Sequence, residues 1–158
     1  LQLAHATAIV AARGQRFRPM LIAGVRDTVA GEDVMFEPAA MPPVRLIDES
    51  LWQEAIDTMV AVVHGPTGTA RRIGEDAPYI IAGKTGTAQV ISIAQDAEYD
   101  EDELEERQKD HALFVAFAPV EAPRIAVAVI VENGGSGSGV AAPVARAVLD
   151  SYLRGSNP

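Results

Sequence analysis

Residues 124 to 133, RIAVAVIVEN, constrain the fold more than any other stretch. As a strand they place Ile125, Val127, Val129 and Val131 on one face and Ala126 and Ala128 on the other. Both faces are apolar, so the strand should be central, with helices covering it on both sides. The alanine face lets a helix come close. ALFVAFAP, residues 112 to 119, precedes it across a short link ending at Pro123, so the two read as an antiparallel hairpin. A third strand is expected at about 79 to 93, around IIAGKTGTAQVISI.

Helical patterns surround this sheet. Residues 2 to 13 repeat Leu3, Ala6, Thr7 and Val10 before Gly14. Asp48 suits an N-cap for a helix over 49 to 64. Its inner stripe is expected to be Leu51, Ala55, Met59 and Val62, flanked by Trp52, Ile56, Val60 and Val63. GTARRIG adds a short helical turn, and Pro143 opens a last helix to about Leu153, with Val144, Ala147, Val148 and Tyr152 inward. Residues 24 to 47 read as loop with a short strand, and Gly134 to Gly139 as a flexible turn. The fold class is therefore α/β of the α+β type, an antiparallel sheet sandwiched by helices.

Composition removes several function classes. The 158 residues are 48% hydrophobic and 22% charged, which suits one globular domain. No apolar run reaches the roughly 18 residues of a membrane-spanning helix. With no cysteine, thiolate nucleophiles, disulfides and Cys-ligated metals are excluded. The net charge of -9 disfavours nucleic acid as a partner. Residues 94 to 111 hold nine acids against Arg107 and Lys109, so the acidity is local and reads as a solvated surface excursion between two strands. It lacks the spacing of a calcium loop, and the three histidines show no metal-ligand spacing, so no metal or cofactor is expected. His64, at a helix C-terminus, reads as a dipole-stabilised cap. Asp110-His111 reads as a local anchor for the excursion, His5 as structural, and Trp52 as core or groove packing.

The chemistry concentrates at Gly83-Lys84-Thr85-Gly86-Thr87. A phosphate-binding loop needs a glycine where this chain has Pro78, and a helix directly after the lysine. Thr85, Thr87, Val90 and Ile91 favour a strand instead. On a sheet-edge strand Lys84 and Thr85 point to opposite faces. Lys84 can then supply a positive field beside a serine nucleophile and its base. Thr85 and Thr87 can bind a substrate carboxylate, and Gly86 leaves room for substrate against the backbone. A free backbone N–H on such an edge can donate to an oxyanion, worth roughly 3 kcal/mol. An isolated Lys-Thr-Gly is too short to carry this alone.

The flanks add the specificity. AGKTGTAQV, VVHGPTGTARRIG, DHALFVAFAP, RIAVAVIVENGGSGSGVAAPVARAVLD and LQLAHATAIVAARG together resemble, in order and spacing, the class B penicillin-binding proteins, and the elongation-type branch more than the division-type one. The resemblance covers nearly the whole chain. It implies a peptidoglycan D,D-transpeptidase with a five-stranded antiparallel sheet. Lys84 and Thr87 would then be catalytic, Thr87 through its backbone N–H at the oxyanion hole, and Thr85, Gly86 and Thr87 would bind substrate. It also implies stem peptides and β-lactams as ligands, a glycan polymerase of the shape, elongation, division and sporulation (SEDS) family as partner, and a periplasmic location with an inner-membrane anchor.

Such enzymes also need S-x-x-K and S-x-N. Ser50, Ser92, Ser136, Ser138, Ser151 and Ser156 begin neither. Leu1 also opens a helical pattern without a cap residue. Residues 1 to 158 are therefore expected to be the C-terminal portion of one transpeptidase domain, with the N-terminal remainder supplying the nucleophile and pairing with strand 124–133. Two rivals remain: a non-catalytic sensor or scaffold on the same fold and, more distantly, a nucleotide hydrolase.

Overall fold

The apolar hairpin forms as the sequence predicts and organises everything else. A computed structural model describes residues 1–90 and 109–155. In chain order the elements are α1 (Gln2–Ala11), β1 (Arg16–Phe17), β2 (Gly24–Arg26), β3 (Asp33–Met35), β4 (Ala40–Met41), α2 (Ser50–His64), α3 (Arg71–Gly74), β5 (Ala82–Ala88), β6 (His111–Ala118), β7 (Ile125–Val131) and α4 (Ala142–Arg154), the last entered through a π-helical turn, Gly137–Ala141. β5, β6 and β7 make a three-stranded antiparallel sheet in that order. β1 pairs with β4, and β2 with β3, as two small ribbons.

Register assigns the two faces. Phe114 lies opposite Thr85 and Val129, while Phe117 lies opposite Ala82 and Ala126. Phe114 and Phe117 therefore point to opposite sides of β6, and both are fully buried. One core joins Phe114, Ala116 and Val127 to Val63, Ile73, Ile81, Ala142, Ala145 and Leu149. The other joins Phe117 and Ala82 to Ile56, with Val10, Ala11 and Ala126 packed against it. Each buried Phe removes enough apolar surface to contribute about 1.5–3 kcal/mol. The alanine face of β7 does admit a helix: Val10 and Ala11 of α1 pack with Ala126 against the same buried cluster. Gly83 is small for the same kind of reason, because a Cβ there would lie 2.5 Å from Phe114 Cζ.

Several expectations are corrected. Within residues 1–158 the middle strand is β6; the second partner expected for β7 would come from outside these residues, and helices cover both faces of β7 as expected. β5 is shorter than 79 to 93 in its described part, since the β6 ladder runs only from Ala82 to Ala88. The buried stripe of α2 is Trp52, Ile56 and Val63, and Leu51 is exposed; the helix is rotated by one residue because the larger Trp and Ile side chains take the core. Asp48 still serves the helix start, its carboxylate accepting the Ser50 amide at 2.9 Å, one residue outside the assigned N-cap. Along α4 the residues facing in are Ala142, Ala145 and Leu149. Val144, Val148 and Tyr152 instead border an open apolar groove with Ile125, beside the outer edge of β7. Residues 24–47 hold a hairpin, β2–β3, closed by a two-pronged Arg26–Asp33 ion pair at 2.7 and 2.9 Å.

Most of the acidic stretch 94–111 lies outside the described residues. Its far end is tied down: the buried Asp110 carboxylate accepts the Val90 amide at 3.3 Å, and His111 Nδ1 accepts the Asn133 amide at 3.0 Å. The first bond brings the two margins of the excursion together, and the second ties the far margin to the end of the β7 segment. His5 is structural as expected, its Nε2 lying 3.1 Å from the Phe17 carbonyl. Trp52 belongs to the core.

Candidate active site on the β5 edge

Lys84, Thr85, Gly86 and Thr87 lie on β5, whose outer edge meets no strand among the described residues. Lys84 is opposite Val115 and Thr85 opposite Phe114, so these two side chains leave the sheet on opposite faces. Lys84 Nζ donates to the Thr85 carbonyl at 2.7 Å. That carbonyl therefore points away from the ladder. Within an antiparallel strand a residue's N–H and C=O share a side, and the side repeats every second residue. The Thr87 N–H consequently faces the same open edge. Thr85 and Thr87 share a face about 6.6 Å apart along the strand. Gly86 is opposite Leu113, and a Cβ on it would sit 3.3 Å from Leu113 Cβ.

Behind β5 the backbone is clamped. Gly137 is buried, and a Cβ there would lie 2.6 Å from the carbonyl oxygens of both Gly86 and Leu113. The Gly134–Gly139 segment is thus not a free turn from Gly137 onward. It packs on the ladder, with the Ser136 hydroxyl accepting the Gly139 amide at 3.0 Å.

The sequence reading missed Thr69. Its hydroxyl lies 3.3 Å from the Thr85 hydroxyl, adding a third threonine to the β5 face. The chain reaches it through the turn after α2, where the Ala70 amide donates to the Val62 carbonyl at 3.0 Å and the Gly68 amide to Gly65 at 3.1 Å. The only signal for it was its place within VVHGPTGTARRIG.

His64 differs from expectation. It does not act as a charged cap; its Nε2 accepts the Ile81 amide at 3.0 Å, just before β5. Burial first, and then the Arg146 charge, hold its pKa below the usual imidazole value. Nearby, Tyr79 donates to Asp150 at 2.6 Å, and Arg146 donates to the other oxygen of Asp150 at 2.9 Å and to the Ile73 carbonyl. Burial, with the Asp150 contact, pushes the Tyr79 hydroxyl up to about 12. Burial would raise Asp150, but the Tyr79 and Arg146 bonds outweigh it and leave the carboxyl below its usual range. This network fastens α4 to α3 and to the lead-in of β5. No group of three or more metal-ligating side chains occurs among the described residues.

The chain is similar to known proteins in sequence and in fold. Residues 1–150 match the family model described as the penicillin binding protein transpeptidase domain. The peptidoglycan D,D-transpeptidase MrdA of Acinetobacter baumannii is 44% identical over 100% of this chain and 23% of its own length. The MrdA of Haemophilus influenzae is 39% identical over 97% of the chain and likewise 23% of its own length. The chain thus spans about a quarter of these curated relatives. The crystal structure of Pseudomonas aeruginosa PBP2 superposes with a TM-score of 0.76 at 45% identity, covering 96% of this chain and 30% of that one. With the fold, the sheet order and the Lys-Thr-Gly-Thr edge all in place, the chain belongs to the penicillin-binding protein transpeptidase family.

Proposed function

We propose that this chain supplies the substrate-binding edge of an elongation-type peptidoglycan D,D-transpeptidase. The observation that carries the reading is the open β5 edge: Lys84, Thr85, Gly86 and Thr87 pair with β6 on one side and meet no strand on the other among the described residues. The donor stem peptide lies along this edge. Thr85 and Thr87, with Thr69 beside them, bind its terminal carboxylate through hydroxyl donors. The Thr87 N–H donates to the carbonyl oxygen as negative charge develops there.

The nucleophile is a serine of an S-x-x-K motif in the N-terminal remainder of the domain. Its oxygen attacks the D-alanyl-D-alanine carbonyl and its proton passes to the lysine of that motif. The C–N bond breaks and D-alanine leaves with the proton. An amine of a neighbouring stem peptide then attacks the acyl ester, forms the cross-link and restores the serine hydroxyl. Lys84 holds the positive field that favours the alkoxide-like nucleophile and the substrate carboxylate. β-Lactams acylate the same serine. Residues 1–158 form the C-terminal part of that single domain, with 94–111 as a surface excursion. The apolar groove of Val144, Val148, Tyr152 and Ile125 beside β7 is where the remainder of the sheet seats. The whole protein works on the periplasmic side of the inner membrane, anchored by an N-terminal helix, next to a SEDS-family glycan polymerase.

The test is acylation of the full-length protein by a fluorescent penicillin. Lys84→Ala should slow it by more than tenfold, and Thr87→Val should weaken carboxylate binding. Wild-type rates in both variants would refute the assignment of this edge.

A further inference from the structure

The turn that ends α2 is fastened to β5 at two points. Thr69 meets Thr85 at 3.3 Å, and His64 Nε2 accepts the Ile81 amide at 3.0 Å. An imidazole accepting at Nε2 is neutral and carries its proton on Nδ1. Protonation would set an N–H against the Ile81 N–H and remove the bond.

The surroundings leave the ring little freedom to escape. From α3, the Gly74 backbone comes so close that a Cβ there would lie 3.1 Å from His64 Nδ1. From the lead-in of β5 comes Ile81 itself, fully buried. From α4 comes Arg146, whose charge opposes a second cation. The acid on that helix, Asp150, is held by Tyr79 and Arg146. Arg71 and Glu75 pair with each other on the exposed side of the α3 segment at 3.9 Å. The neighbours on α2 and its turn, Val63 and Gly65, are uncharged.

We propose that His64 is a positioning residue for this site: its neutral Nε2 holds the Ile81 amide, sets where β5 presents Lys84, and releases the strand when the ring is protonated. The inference rests on reading β5 as the transpeptidase edge. Lys84 follows Ile81 by three residues, about 10 Å of strand, so a shift at the fastening reaches the site with little slack. Burial and Arg146 place the ring's titration below the ordinary 6.5. The fastening is therefore complete above about pH 6.5 and is lost as the pH falls through the lower folded pKa.

The experiment uses the full-length protein as wild type, His64→Gln and His64→Ala, with acylation by a fluorescent penicillin followed from about pH 5 to 8. A glutamine amide oxygen can accept the Ile81 N–H but does not titrate. At the alkaline end His64→Gln should acylate close to the wild-type rate, and His64→Ala several-fold more slowly. The wild-type to His64→Gln ratio should fall toward acid pH and level off near the several-fold deficit of His64→Ala once the ring is protonated. A ratio constant with pH overturns the proposal, because acid inhibition of the nucleophile would affect both proteins equally. If His64→Ala does not fold, that ratio decides alone. If wild type acylates at no pH, the transpeptidase reading fails instead. Ile81 amide exchange then decides the fastening: protection lost in acid in wild type but kept in His64→Gln upholds it, and equal protection in both overturns it.

Discussion

Gly137→Ala should loosen the active edge without replacing any residue on it. The added Cβ would stand 2.6 Å from both the Gly86 and Leu113 carbonyl oxygens and 3.2 Å from the Gly86 nitrogen. All three are backbone atoms of paired strands, so none can rotate aside. Real Cβ contacts essentially never fall under 3.0 Å, so the π-helical turn must lift by at least about 0.4 Å, or the ladder must bend. Overpacking of this kind costs about 1–3 kcal/mol. For a domain of this size class that lowers Tm by roughly 3–10 °C. Because the displaced atoms belong to Gly86, penicillin acylation should slow as well. Gly139→Ala is the control: its Cβ would meet Ser136 Oγ at 3.1 Å and Ser136 Cβ at 3.3 Å, a small side chain on an exposed turn that can give way. Thermal melts and acylation rates of both variants in the full-length protein test the reasoning. Equal melting and equal acylation in wild type and Gly137→Ala would refute it.

Other outcomes follow from the same geometry. Thr69→Val removes a neutral hydrogen-bond partner of Thr85, worth about 0.5–1.5 kcal/mol, and should raise the β-lactam concentration needed for half-maximal acylation by roughly two- to tenfold, with Thr69→Ser restoring it. Phe114→Ala opens a cavity under β5 and should cost about 3–5 kcal/mol in urea denaturation. Asp150 has a folded pKa below its ordinary 3.8, so its contribution is present above pH 3.8 and lost as pH falls through the folded value; Tyr79→Phe should flatten that acid loss of stability in a denaturation series from pH 5 to 2.

Strand content was legible where the alternation left no second solution. RIAVAVIVEN and ALFVAFAP carry apolar residues at every position of one period-two face, and a helix would have spread them around its circumference. The helical faces were harder. In α2 two adjacent apolar stripes compete, and only the packing against Phe117 and Ala82 selects Ile56 over Ala55. In α4 the Val144, Val148 and Tyr152 stripe has the right spacing for a core, yet it borders an open groove, because Ala142, Ala145 and Leu149 are the residues that pack inward. The site was half legible. Lys84 to Thr87 are contiguous, so a local pattern displays them. Thr69 and His64 act across separations of 16 and 17 residues, and no local periodicity encodes that pairing. A histidine in the last helical turn reads as a cation by the dipole argument, and only the Ile81 amide at its Nε2 reverses the sign.

The central claim is that this chain binds the substrate while a serine elsewhere in the protein reacts with it. Mass spectrometry of the full-length protein after treatment with a β-lactam and proteolytic digestion tests this most directly. The account predicts one drug mass added to a peptide outside residues 1–158, on the serine of an S-x-x-K motif, with adduct formation slowed by Lys84→Ala. An adduct on any peptide within 1–158, or no adduct in the protein at all, would contradict it.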